Sequence, residues 1–165
     1  MNLPDVTLRP VDEATLDELV AVAVGDAEPA DVMPPAPGGP GWTDDRVAAF
    51  RRFHRERRAG LDGPRHEVTL AVVAGGRVAG VLRLHRHGDG RHEVGAWLGR
   101  SWRGRGVGTA ALAALRPVAA GLGVTEVVAE TTAGNAAARA MLTRAGAAVG
   151  SPDAHGIVRA TLWGG

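Results

Sequence analysis

From Val6 to Val11 apolar and polar residues alternate as in an extended strand; beyond Asp12, Leu16, Leu19, Val20 and Ala23 recur at helical spacing. Asp is a residue type that caps helix starts, so a strand followed by a helix is expected. Asp26 to Trp42 (DAEPADVMPPAPGGPGW) has no period and is dense in Pro and Gly, which predicts a loop, either a lid over something or a mobile segment. Thr43 suits the cap of a second helix with Val47, Phe50, Phe53 and His54 on one face and an end near Gly60.

At His66 the period changes to two. EVTLAVVAG and RVAGVLRLH are β-rich and meet at Gly75 and Gly76, a pair that tolerates the positive φ of a tight hairpin. Gly88, Asp89 and Gly90 form the next turn, and HEVGAWLG alternates as a third antiparallel strand. Gly106 to Gly121 reads as a helix through Ala110, Leu112, Ala113 and Leu115, with Pro117 expected to kink it or mark a late break. VTEVVAE follows as a buried strand, Asn135 to Ala145 as a short helix closed by Gly146, and Ala147 to Trp163 as a hairpin across SPDAHG. The order implies an α/β fold with a mixed, mostly antiparallel central sheet flanked by helices. A length of 165 residues fits one domain, 1–165.

Composition narrows the chemistry. Cysteine is absent, which removes disulfides, thiolate nucleophiles and Cys-type metal sites together. The His residues show no ligand-like spacing apart from His85 and His87, so no metal is expected. Net charge is only +1, too little for a duplex-binding protein without a recognisable motif, and no nucleic-acid partner is expected. No apolar run approaches the roughly 18 residues of a membrane span, and Met1 to Thr7 lacks the basic start and apolar stretch of a secretory signal; a cytoplasmic location without membrane association is the expectation. The basic residues cluster at Arg51 to Arg58 and Arg100 to Arg105, a distribution that suits phosphate.

Ser101 to Thr109 reads SWRGRGVGT and lies between a strand ending near Leu98 and a helix starting near Gly106. Glycines in such a place let the backbone turn tightly and aim several N–H groups into one concavity, to which the helix start adds partial positive charge. The product is a diphosphate cradle, with Arg103 and Arg105 able to add charge-assisted hydrogen bonds. Arg103, Gly106 and Gly108 fit the RxxGxG motif of the GNAT acetyltransferases, and the chain resembles that superfamily, in particular the branch with ribosomal-protein N-terminal and small-molecule acetyltransferases. EVGAWLGRSWRGRGVGTAALAAL and, from Asn135, NAAARAMLTRAGA carry the likeness, which spans about Glu67 to Ala148.

The resemblance implies the GNAT acyl-CoA N-acyltransferase fold, acetyl-CoA as cofactor, and transfer of its acetyl group to a primary amine by direct attack in a ternary complex. Leu98, Gly99, Arg103, Gly104, Arg105, Gly106, Val107, Gly108 and Thr109 would bind the pantetheine and diphosphate. Asn135 would bond the pantetheine arm, with Ala138 beside it in place of a frequent Ser. Glu93 matches a family Glu and is the expected general base, directly or through water, with Glu67, His92 and Glu130 as weaker alternatives. Leu142 stands where many members carry the Tyr that protonates the leaving thiolate. Asp31, Met33 and Trp42 of the Pro-rich segment, with Trp97, would line the acceptor pocket. The acids of that segment suggest a small cationic amine, aminoglycoside-like or polyamine-like, or a peptide N-terminus, and the C-terminal hairpin could support a homodimer.

Two other readings stay open on the residues. A noncatalytic acetyl-CoA-binding module is compatible with the missing Tyr. A nucleotide-binding oxidoreductase is imitated by strand, glycines, helix and a second strand with Glu126 and Glu130, although Thr109 stands where GxGxxG wants its third glycine.

Overall fold

The computed structural model describes residues 2–34 and 37–164. Among the described residues seven strands form one sheet: β1 (Val6–Pro10), β2 (Glu67–Ala74), β3 (Arg77–Arg86), β4 (His92–Leu98), β5 (Val127–Thr132), β6 (Ala148–Val149) and β7 (Ile157–Trp163), in the spatial order β1-β2-β3-β4-β5-β7-β6. Every neighbouring pair is antiparallel except β4 and β5. The expected mixed, mostly antiparallel sheet is therefore present.

Helices cover both faces. On one lie α1 (Glu13–Asp26) and α3 (Asp44–Arg55), whose Leu16, Leu19 and Phe50 pack on Ala71, Val73, Val81 and Trp97. On the other lie α4 (Val107–Gly121) and α5 (Ala136–Arg144), whose Leu112, Leu115 and Leu142 pack on Leu70, Val72, Leu82, Leu84 and Val94. The alternation of the strands thus feeds two apolar layers, and one sheet separates them.

Local chemistry sets most boundaries. Asp12 accepts from Thr15 N at 2.8 Å and Thr43 from Arg46 N at 3.2 Å, so both helices start where capping residues predict. Gly75 and Gly76 turn the β2–β3 hairpin with φ of 56° and 79°.

Three details depart from the sequence reading. A short helix, α2 (Pro29–Val32), interrupts the expected loop, because Glu28 and Asp31 form a reciprocal capping box around it; Pro35 and Ala36 of the same segment lie outside the described residues. Helix α3 ends at Arg55 and reaches Gly60 through turns. Helix α4 runs past Pro117 to Gly121 without a break. Both Pro117 and Ala113 are exposed, so the carbonyl that the missing proline N–H leaves unbonded can meet water. No helix among the described residues is long and apolar enough to cross a membrane.

Candidate active site

Strands β4 and β5 are registered at one pair, Glu93 with Val128, and beyond it they part. The two strands run parallel, joined by α4, so each ends at the same edge of the sheet with an open fork between. Parallel strands that stop pairing leave backbone groups free, and a narrow extended ligand can take the place of the missing strand contacts. Glu93 sits at the apex of this fork.

The Gly-rich turn lies at its mouth. Gly104 and Gly106 adopt φ of 71° and 78°, the left-handed region that only glycine enters readily, and Gly106 is the N-cap of α4 without any side chain capping it. The first amide engaged at that helix start is Ala110 N, bonded to Gly106 O at 3.0 Å. Consequently the N–H groups from Gly104 to Thr109 have no acceptor among the described residues. Unspent amides converging at a helix N-terminus make an anion site of the kind that binds phosphate.

Side chains around the turn hold its shape. Asp26, at the end of α1, accepts from Ser101 Oγ at 2.6 Å and from Ser101 N at 3.1 Å. A Cβ on Gly99 would fall 2.4 Å from that carboxylate, so the approach requires glycine there. Arg103 donates from Nε to Leu98 O at 3.1 Å, and Arg105 donates to Ser101 O at 3.2 Å while lying over the Trp102 ring. Both arginines are exposed beside the free amides. Asn135, three residues beyond the end of β5, caps α5 by accepting from Ala138 N at 3.1 Å. Leu142 is buried in the core, and its neighbour Met141 reaches the cradle instead: a Cβ on Gly108 would meet Met141 Sδ at 2.4 Å and Leu98 Cδ1 at 3.7 Å.

On the α1–α3 face, cross-strand rows put Glu67, His85 and Glu93 side by side, and Thr69, Arg83 and Gly95 in the next row. A cavity of about 350 Å³ opens there, lined by Arg57, Arg65, Glu67, Arg83, His85, Glu93 and Gly95. Glu93 is partly exposed in it, with His87 Nε2 at 3.4 Å but not in hydrogen-bonding geometry. Glu67, 4% exposed, is held by Arg57 and by Arg83 Nη1 at 3.0 Å. Behind this wall His54 is 1% exposed and bonds Thr69 Oγ1 through Nδ1 at 3.2 Å. Burial, reinforced by the charges of Arg57 and Arg83, pushes its pKa down from 6.5 to about 4.

The residues expected to line an acceptor pocket are dispersed. Trp97 is buried against Phe50, with ring centroids 6.2 Å apart, and contributes to the floor beneath Glu93's face rather than to an open wall. Trp42 donates from Nε1 to Ala27 O at 3.0 Å and meets Phe50 edge-on, which pins the Pro-rich segment. Met33 lines a separate cavity of about 330 Å³ inside that segment, which shares no lining residue with the one at Glu93. Asp31 faces Arg103 at 3.8 Å, and Glu28 faces Arg100 at 3.3 Å. With Asp26 on Ser101, the acids of the segment are turned towards the Gly-rich turn.

Residues 5–148 match the family model described as "Acetyltransferase (GNAT) domain". The chain belongs to the GNAT acetyltransferase family. As a GNAT enzyme its acetyl donor is acetyl-CoA. Solved GNAT structures share the fold. The GNAT domain of S. lividans PAT aligns at 22% identity with a TM-score of 0.68, over 93% of this chain and 88% of that one. RimL, a ribosomal L7/L12 alpha-N-protein acetyltransferase in complex with coenzyme A, aligns at 18% identity with a TM-score of 0.71, over 94% and 92%. MccE, the microcin C7 self-immunity acetyltransferase in complex with acetyl-CoA and AMP, aligns at 15% identity with a TM-score of 0.69, over 95% and 91%. No curated protein matches the chain in sequence.

Sequence reasoning gave Glu67 a minor place, weighed His85 only for metal-ligand spacing, counted Arg57 only in a basic cluster, and passed over Arg65, Arg83 and Gly95. Their signal was the strand register. Gly75–Gly76 aligns Ala74 with Arg77, but a bulge between Val72 and Val73 shifts the pairing by one residue, so Glu67 faces His85 and not Leu84. A shift of one residue exchanges the two faces of a strand, and nothing local to the sequence announces it.

Proposed function

We propose that residues 1–165 form one cytoplasmic domain that transfers the acetyl group of acetyl-CoA directly to the primary amine of a small acceptor, with Glu93 as general base. The observation that supports it most is the alignment of three features along one fork: the unspent amides of Gly104 to Thr109 at its mouth, Leu98 at the end of one arm with Asn135 three residues beyond the other, and Glu93 at its apex. A diphosphate on those amides and an extended pantetheine between the arms fit these residues, since the amides from Gly104 to Thr109 have no acceptor among the described residues and the arms pair at one position only. Gly99, Arg103, Arg105, Val107, Gly108 and Ala138 belong to the same surface.

Acetyl-CoA, when bound, supplies a thioester carbon open to attack by nitrogen. Glu93 would take a proton from the incoming amine, directly or through one water, which is general-base catalysis worth about 10² to 10⁴ in rate. Backbone amides of β4 beside the fork's apex would steady the negative charge that gathers on the carbonyl oxygen. Leu142 is buried and has no proton to give, so the thiolate would leave unassisted or take its proton from water. Absence of cysteine in the chain supports direct transfer over a thioester-linked enzyme.

Calorimetric titration with acetyl-CoA, NAD and ATP, followed by thiol release with an amine panel, tests the reading. Acetyl-CoA binding and amine-dependent thiol release are expected. Binding without release from any amine would favour the noncatalytic module, and preference for NAD would overturn the assignment.

A further inference from the structure

The cavity at Glu93 holds charges of both signs. Arg57 and Arg83 share the single carboxylate of Glu67, so one guanidinium charge on that wall is matched only by the separate carboxylate of Glu93, and Arg65 at the rim pairs with Glu56 at 2.6 Å. Arg57 spends Nε on Glu67 and Nη1 on Phe53 O at 2.9 Å; its Nη2, and Nε and Nη2 of Arg83, have no acceptor among the described residues. Glycine at position 95 lets the Arg83 guanidinium lie across β4: a Cβ there would sit 2.9 Å from Nη2. Glu93 and Gly95 are two residues apart on one face of the strand, about 7 Å. A carboxylate and a guanidinium with two free nitrogens, Nε and Nη2, therefore lie two residues apart along β4 in a space of about 350 Å³, the small end of the range for ligand pockets.

Resting on the transfer reading above, we propose that the acceptor is a small amine that carries its own acidic group, a carboxylate or a phosphate, a few bonds from the nitrogen. Glu93 faces the amine, and Arg83, backed by Arg57 and Glu67, fixes the acid. A polyamine would place a second cation against this wall, where the guanidiniums repel it. The acids of the Pro-rich segment do not offset that, because Asp26, Glu28 and Asp31 are engaged with Ser101, Arg100 and Arg103.

Matched pairs of amines separate these classes: α-amino acids against their amides, aminoethyl phosphate against ethanolamine, and spermidine alone. Thiol release gives kcat/KM, and calorimetric titration into the protein saturated with coenzyme A gives binding whether or not transfer follows. The acid-bearing member of at least one pair should be favoured about tenfold or more in both readouts, through charge-assisted hydrogen bonds, and which pair shows it tells carboxylate from phosphate. Arg83→Gln should erase that ratio by raising KM, and Arg83→Lys should keep part of it. Equal binding within every pair, preference for spermidine, or an unchanged ratio in Arg83→Gln overturns the inference and leaves the acetyltransferase reading standing. A binding preference that Arg83→Gln erases, with no thiol release from any amine, supports the inference and overturns the transfer reading instead.

Discussion

Glu93 and Val128 face each other across β4 and β5 at the last position where those strands are in register. The carboxylate thus stands where the fork closes, and on the proposed binding mode an extended ligand entering from the Gly-rich turn would end there. Glu93→Gln keeps the shape and removes the proton acceptor. Turnover should fall about 10²-fold or more, with acetyl-CoA affinity nearly unchanged, as expected when a group acts only in the chemical step. Steady-state thiol release paired with calorimetry decides it, and an unaltered rate removes Glu93 from the chemistry.

Gly106 turns the chain into α4 at φ 78°, and a Cβ there would lie 3.3 Å from Pro4 Cδ. Gly106→Ala should cost about 1 to 2 kcal/mol of stability from the left-handed backbone alone. Gly106→Glu adds an anion among amides that await one, so acetyl-CoA binding should vanish by calorimetry. Retained binding in Gly106→Glu would place the diphosphate elsewhere.

Asp26 and Ser101 tie α1 to the start of the Gly-rich turn through a hydroxyl and an amide. Asp26→Ala hands that exposed amide to water, at a cost of about 0.5 to 1 kcal/mol. Because the turn then loses an anchor, acetyl-CoA should bind about tenfold more weakly, as order lost before binding must be restored on binding. Thermal unfolding together with calorimetry reads both effects; an unchanged affinity would mean that the turn holds its own shape.

Much of this was legible where the physics is local. Asp12, Thr43 and Asn135 cap helices because a short acceptor side chain reaches an amide three residues on, and the glycines at 75, 76, 104 and 106 mark positive φ. The Gly-rich turn was legible for the same reason. What escaped depends on partners far along the chain or on small shifts in register. Arg57, Glu67 and Arg83 meet only because the bulge at Val72 and Val73 turns the β2–β3 face. Helix α4 survives Pro117 because that side faces solvent, and α2 forms inside a Pro-rich run because Glu28 and Asp31 cap each other. The divergence of β4 from β5 has no sequence mark at all.

His54 connects the cationic wall to stability. Its ring is enclosed by Phe50 and Phe53, with centroids 4.7 Å and 5.2 Å away, and Nε2 has no partner among the described residues; burial first, then the charges of Arg57 and Arg83, favour the neutral form, and the folded-state pKa lies near 4 against 6.5. The unfolded chain therefore takes up the proton first. This contribution is complete above about pH 6.5, declines as pH falls by about 1.4 kcal/mol per unit, and levels off below about pH 4. His54→Gln can still bond Thr69 but does not titrate. Urea unfolding at pH 7 and pH 4.5 should show the native protein losing about 2 to 3 kcal/mol more than the variant across that interval. An equal loss in both would assign the acid sensitivity to other groups.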